Sequence, residues 1–192
     1  RRELFMVLYA GLVWMVYNLA YFSFLSFGPA LLLERGMDVT AAGAAISLAS
    51  WAALPALPLG GFLADRTGRP DLILGVSCVL AAGAAAALPL SDRPYLLCAA
   101  VGLFAAAPAG MIMGRAISLM SPPHRAQGNA ILYTFFYGGM GLIPSVVGWG
   151  ADITGTAATP LYFSAIALLV SVPLFLVMHA MAKRLTAERA VD

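Results

Sequence analysis

Six long apolar runs, set apart by short turn-forming segments, constrain this chain more than any other feature. They read as helices over about 5–33, 40–63, 71–90, 95–120, 127–149 and 160–182. A helix of about 20 apolar residues crosses the roughly 30 Å hydrocarbon core of a bilayer, whereas a spanning strand needs only about 9–11. In that core every backbone N–H and C=O must find a partner inside the protein, and a helix supplies all of its own. The expected class is therefore an all-α polytopic membrane protein, with six transmembrane helices in a single domain over residues 1–192. Composition excludes the soluble alternative: 61% of the residues are hydrophobic and 10% charged, against about 25% charged in a soluble domain.

Turn chemistry marks the breaks. Glu34-Arg35-Gly36-Met37-Asp38 ends the first run, and Thr40 is the expected cap of the second. Ser91-Asp92-Arg93-Pro94 reads as a tight turn whose proline opens the fourth helix. Ser121-Pro122-Pro123-His124 stops the fourth run, and Asp152-Ile153-Thr154-Gly155-Thr156 separates the last two. The asymmetry of Arg and Lys orients the spans. Arg1, Arg2, Arg66, Arg69, Arg115, Arg125, Lys183, Arg184 and Arg189 fall on one side, Arg35 and Arg93 on the other. Nine against two places both termini, the 60–70 segment and a basic tail at 183–192 in the cytosol. Lys183 is the only lysine; with the Ala and Gly richness, this is the composition of a GC-rich bacterial genome, and points to a bacterial inner (plasma) membrane. The chain starts at Arg1 without Met or a signal-peptide pattern, and so reads as a piece of a longer one.

Little here supports chemistry at a fixed centre. Cys78 and Cys98 lie inside apolar runs and read as buried free thiols, and no Cys/His spacing fits a metal. His124 and His179 stand near the cytosolic face, far apart in sequence. There is no Gly-x-Ser-x-Gly, no His-Glu-x-x-His and no acid pair within a span. No cofactor, metal or nucleic-acid partner is expected. Glu34, Asp38, Asp92 and Asp152 belong to the external rim, Asp65 and Asp71 to the cytosolic rim.

The interiors of the spans carry the functional candidates. Pro55 and Pro58, then Pro108 with Gly110 and Gly114, then Gly138, Gly139, Gly141, Pro144 and Gly148 interrupt the second, fourth and fifth runs. Small residues let backbones approach and prolines permit kinks, as in a bundle whose parts move or simply one that packs closely. Arg115 is the one charge inside a span, about seven residues or 10 Å from the Pro122 break. Gly11, Trp14, Asn18, Tyr21 and Leu25 share one face of the first helix. Phe104, Pro108, Met111 and Arg115 do so on the fourth, and Asn129, Tyr133, Tyr137, Met140 and Pro144 on the fifth. Asn18 is the only amide deep in a span, and its hydrogen bonds need partners. Aromatic faces with a few amide and hydroxyl groups suit a small, uncharged or weakly polar solute. For each aromatic, packing or an interfacial belt is the plainer reading.

Gly60-Gly61-Phe62-Leu63-Ala64-Asp65-Arg66-Thr67-Gly68-Arg69-Pro70 follows the second run. It closely resembles the loop signature of the major facilitator superfamily, G-x-L-A-D-R-x-G-R-(R/K), with Pro70 where the family usually has a base. The segments 122–128, 138–144 and 148–155 resemble the fourth-to-fifth helix region of a facilitator half. The Gly-Pro dipeptide of the family's antiporter motif is absent, so antiport is not implied.

The resemblance implies one six-helix half of a twelve-helix transporter, whose partners are a small solute, the bilayer and the missing half. The short tail after the last run favours the C-terminal half. The resemblance also implies that Gly61, Asp65, Arg66, Gly68 and Arg69 form a gating motif. In it the acid engages Arg115, although a snorkelling side chain or a static ion pair would look the same in sequence. It further implies that the first and fourth helices line the solute cavity, helped by the second and fifth. Trp14, Asn18, Tyr21, Tyr133 and Tyr137 are the candidate contacts. The expected function is secondary transport by alternating access. A six-helix channel or homodimeric scaffold is the alternative, and a membrane-embedded enzyme is a more distant one.

Overall fold

The computed structural model of the protein describes the backbone of residues 2–189 and the side chains of residues 4–184. Arg1, the side chains of Arg2 and Arg189, and residues 190–192 of the expected tail lie outside the described residues. The helices are α1 Arg2–Glu34, α2 Val39–Thr67, α3 Pro70–Ala87, α4 Pro94–Ala106, α5 Ala109–Ser118, α6 Arg125–Thr154 and α7 Thr159–Arg189. Short 3-10 turns, Leu88–Leu90 and Pro122–His124, follow α3 and precede α6. α4 and α5 together make the fourth span, so among the described residues six helical spans are long and apolar enough to cross a bilayer.

Local physics changes several of the expected boundaries. The fourth run is not one helix over 95–120. Pro108 lacks an N–H and its ring crowds the preceding turn, so the helix breaks between Ala106 and Ala109. α2 runs on to Thr67, which puts Asp65 and Arg66 in its last turn instead of in a loop. Gly68, in the left-handed region at φ 63°, closes it by donating its N–H to the Ala64 carbonyl at 3.0 Å. α6 likewise continues through Asp152 and closes on Gly155 at φ 68°. The cap of α2 is Asp38, not Thr40, which is already helical. The Asp38 carboxylate accepts from the Ala41 N–H at 2.9 Å, where the helix dipole favours negative charge.

The helix pairings repeat within the chain. α2 packs along α4 and α6 along α1; α7 packs along α1 and α3 along α4; α3 also meets α7. Exchanging spans one, two and three for four, five and six maps this set onto itself, as expected of nested three-helix repeats. Where α2 crosses the fourth span, a Cβ on Gly102 would meet the Ala49 carbonyl and one on Gly60 the Ala107 carbonyl, so the backbones touch. Where α6 crosses α1, Gly11 lies under the Phe135 ring and Gly139 under Met15. Polar ties hold α1 to α7: Ser164 donates to the Ala20 carbonyl at 2.6 Å and Tyr9 to that of Leu174 at 3.1 Å. α2 and α6 are the least buried spans and flank α1. They turn Trp51, Leu54, Leu57, Leu142 and Trp149 outward.

Candidate functional site

The break at Pro108 and the glycine stop at Gly68 together build the site at one end of the bundle. Ending α2 at Thr67 leaves Asp65 pointing off its last turn. Restarting the fourth span as α5 turns Arg115 toward the same space. Both side chains line a pocket of about 590 Å³ with Gly61, Gly68, Gly110, Met111, Gly114, Ser118 and Phe175. The glycines leave the gap that larger side chains would fill. Among the described residues no ion pair within 4 Å joins Asp65 to Arg115. Arg66 lies over the Phe62 ring, 6.0 Å from its centroid, and Arg69 is exposed between α2 and α3.

Sequence reasoning missed the groups behind this pocket. His179 is buried on α7, and its ring meets that of Phe175 at 6.1 Å. Its Nδ1 lies 2.9 Å from Oδ1 of Asp71 on α3, without the alignment of a hydrogen bond. The only sequence signal was the four-residue step from Phe175 to His179, which places them on one face. Tyr17 was also missed: its buried hydroxyl donates to the Ala105 carbonyl, beside the break in the fourth span. A proline frees carbonyls in the preceding turn, so Pro108 was the clue that a donor would be needed there.

The solute candidates form a wall along α1 and α6. Tyr133 and Tyr137 stack at 6.2 Å, and both meet Phe136 edge-on. Phe136 meets Phe22 at 5.8 Å, and Phe22 meets Tyr21. The structure thus joins Tyr21, Tyr133 and Tyr137 in one aromatic chain. The Tyr21 hydroxyl donates to the Ala49 carbonyl of α2 at 3.2 Å, so it also ties helices together. Asn18 donates its amide to the Trp14 carbonyl of its own helix at 2.7 Å. Trp14 stacks on Tyr17, and its indole Nε1 is buried without a partner. The wall is open on one side, with Tyr133 48% and Tyr137 65% exposed.

The opposite end of the bundle also has a pocket, of about 520 Å³ and lined by Arg35, Asp92 and Arg93, but there Arg35 and Asp92 are paired. Arg35 donates to the carbonyls of Leu88 at 2.8 Å and Ser91 at 2.5 Å, and pairs with the Asp92 carboxylate at 3.1 Å. Glu34 accepts from the Ala157 N–H at 2.9 Å. Two adjacent residues thus join the α1–α2 connection to both other connections at that end.

The sequence model of the Major Facilitator Superfamily matches residues 10–191. The chain belongs to this superfamily. No curated protein and no solved structure gave a match. Membership of this transporter family and the six apolar spans make it a multi-pass integral membrane protein. In this facilitator chain the signature residues Gly61, Asp65 and Gly68 line the same pocket as Arg115. Among the described residues no group of three or more His, Cys, Asp or Glu could hold a metal.

Proposed function

We propose that the chain is one half of a secondary transporter that moves a small, weakly polar solute by alternating access, with Asp65 and Arg115 as the latch of one gate. One observation carries this reading: the two charges line one glycine-rich pocket without an ion pair between them, in a bundle whose other end is tied. A latch needs two opposite charges free to meet in one state and part in the other. The nine-to-two Arg and Lys split supports a cytosolic position for this gate and for both ends of the chain, in a bacterial inner membrane. Asp65→Asn should cut transport at least about tenfold with membrane insertion intact, since it removes the charge that one gate state uses. Exchanging the pair, Asp65→Arg with Arg115→Asp, should restore part of the activity. Wild-type transport in both single neutralisations would remove the latch.

The open wall of α1 and α6 supports a solute site completed by a second six-helix unit seated against α2 and α6. Trp14, Asn18, Tyr21, Tyr133 and Tyr137 supply aromatic faces, hydroxyls and an amide for it. Asn18 makes its observed bond within its own helix, so Asn18→Ala breaks no bond between helices. It should weaken solute binding by about 1–3 kcal/mol, the cost of an unmatched polar group, and leave thermal stability nearly unchanged. Reduced stability with unchanged affinity would refute its place in the site.

A further inference from the structure

We propose that the pocket at the Arg35 end holds the head of a bilayer phospholipid that carries both a phosphate and a primary ammonium, as phosphatidylethanolamine does. The inference does not depend on the latch at the other end.

The pocket lies between the α1–α2 and α3–α4 connections and the first turn of α4. Its walls differ in kind. Arg35, Asp92 and Arg93 stand just outside the ends of the spans, whereas Leu32 and Leu96 stand within them. A phospholipid has the same order along the membrane normal, with its charged head outside the hydrocarbon and its chains inside. Tyr95, in the first turn of the fourth span, is of a residue type that favours this level. No lining residue belongs to α2 or α6, the spans left open to a second six-helix unit. Tyr95 and Leu96 are nevertheless exposed, and in a membrane the cover for such a surface is lipid.

The charges of the pocket are unequally engaged. Arg35 is held by the Leu88 and Ser91 carbonyls and by Asp92, so it joins the two connections and the pocket exists before any ligand arrives. Arg93 is exposed, and among the described residues its guanidinium has no hydrogen bond or ion pair. Asp92 engages Arg35 through Oδ1 alone, and its side chain is fully exposed. One unengaged cation and one unengaged carboxylate oxygen therefore stand on adjacent residues. A guanidinium matches phosphate oxygens in geometry and charge. The carboxylate oxygen accepts from an N–H donor, which a primary ammonium has and a quaternary one lacks. A purely anionic head would meet Asp92 as a like charge. A dissolved molecule with the same two groups would meet the same partners, but each exposed contact is weak alone. The bilayer presents its lipids beside the pocket at high effective concentration, and the apolar wall takes the start of the chains.

The test counts lipids bound to the full-length protein in detergent by native mass spectrometry, with dioleoyl phosphatidylethanolamine, phosphatidylcholine and phosphatidylglycerol titrated in turn. The first phosphatidylethanolamine should bind more tightly than either of the others. Arg93→Gln should weaken it about fivefold, the scale of one charge-assisted bond. Asp92→Asn, whose amide oxygen still accepts from Arg35, should weaken it about threefold and leave phosphatidylglycerol no weaker. Unchanged melting temperatures would show that both variants fold. Undiminished binding to Arg93→Gln overturns the site. Equal binding of phosphatidylethanolamine and phosphatidylcholine, or an equal loss of phosphatidylethanolamine and phosphatidylglycerol in Asp92→Asn, overturns the choice of head. Competition by water-soluble glycerophosphoethanolamine at a concentration equal to that of the lipid overturns the bilayer as the source.

Discussion

The two ends of the bundle carry arginines in opposite conditions. Arg35 is surrounded by oxygen: the Leu88 and Ser91 carbonyls at the close of α3 and its turn, and the Asp92 carboxylate. Arg115 lines an open pocket with Asp65 and with Phe175, whose ring meets that of the buried His179. The residue type is the same, and the acceptors within reach decide what it does. A guanidinium held by three acceptors at once is a fixed joint, because it cannot leave without giving up all three bonds. A guanidinium with only distant partners can trade one for another without stranding anything. Local backbone geometry makes this difference: α3 ends in a 3-10 turn that offers carbonyls, whereas α2 ends on Gly68, whose own N–H satisfies the Ala64 carbonyl.

The largest expected effect is all-or-none. Thr67 stands at the Asp65 end and Thr154 at the Arg35 end. Single cysteines placed there, in a background lacking Cys78 and Cys98, should label only from opposite sides of the membrane. Labelling of both from one side would show that the two regions are not opposite ends. A smaller effect separates the joints in stability. Arg35→Ala should cost about 1 kcal/mol, chiefly through the part-buried bond to the Leu88 carbonyl, since water replaces the guanidinium at the exposed Ser91 and Asp92 oxygens. The melting temperature should fall by several degrees, whereas Asp65→Asn should leave it unmoved. An equal drop for both would erase the contrast between tied and untied charge. The smallest effect belongs to Glu34. In Glu34→Gln the amide oxygen can still accept from the Ala157 N–H, so only the charge assistance is lost, about 0.5 kcal/mol. A loss exceeding that of Arg35→Ala would mean that the α6–α7 connection is the principal tie.

Sequence pattern read the spans well because each apolar run reports its own environment, whichever neighbours it finds. It read boundaries less well where a single residue outweighs the pattern. Asp38 caps α2 because a carboxylate satisfies the first-turn N–H groups better than the Thr40 hydroxyl two positions on. Gly68 holds α2 together for a turn beyond the apolar stretch. Helical spacing grouped Tyr133 with Tyr137 and Trp14 with Asn18, since residues three and four apart must share a face. It could not say which helix those faces meet. The contact of His179 with Asp71 joins the end of α7 to the start of α3, and the Tyr17 bond joins α1 to Ala105. Both depend on how helices pack side by side. Such contacts leave no trace in spacing along one helix. The Asp65–Arg115 pairing was expected from family resemblance; the structure brings both residues to one pocket without an ion pair between them.

The break at Pro108 gives the fourth span a mechanical property that an unbroken helix would lack. Its upper arm is clamped to α2 where Gly102 meets Ala49, and its pivot is bolted on two sides, by Gly60 against Ala107 and by the Tyr17 hydroxyl on Ala105. The lower arm, α5, carries Arg115 about seven residues, or 10 Å, from that pivot. A rotation of about 20°, the scale of an ordinary proline kink, swings the end of such an arm through about 3.5 Å. That stroke is enough to make or sever an ion pair, so a modest hinge angle in a short lever can set the state of a charge without moving the rest of the bundle.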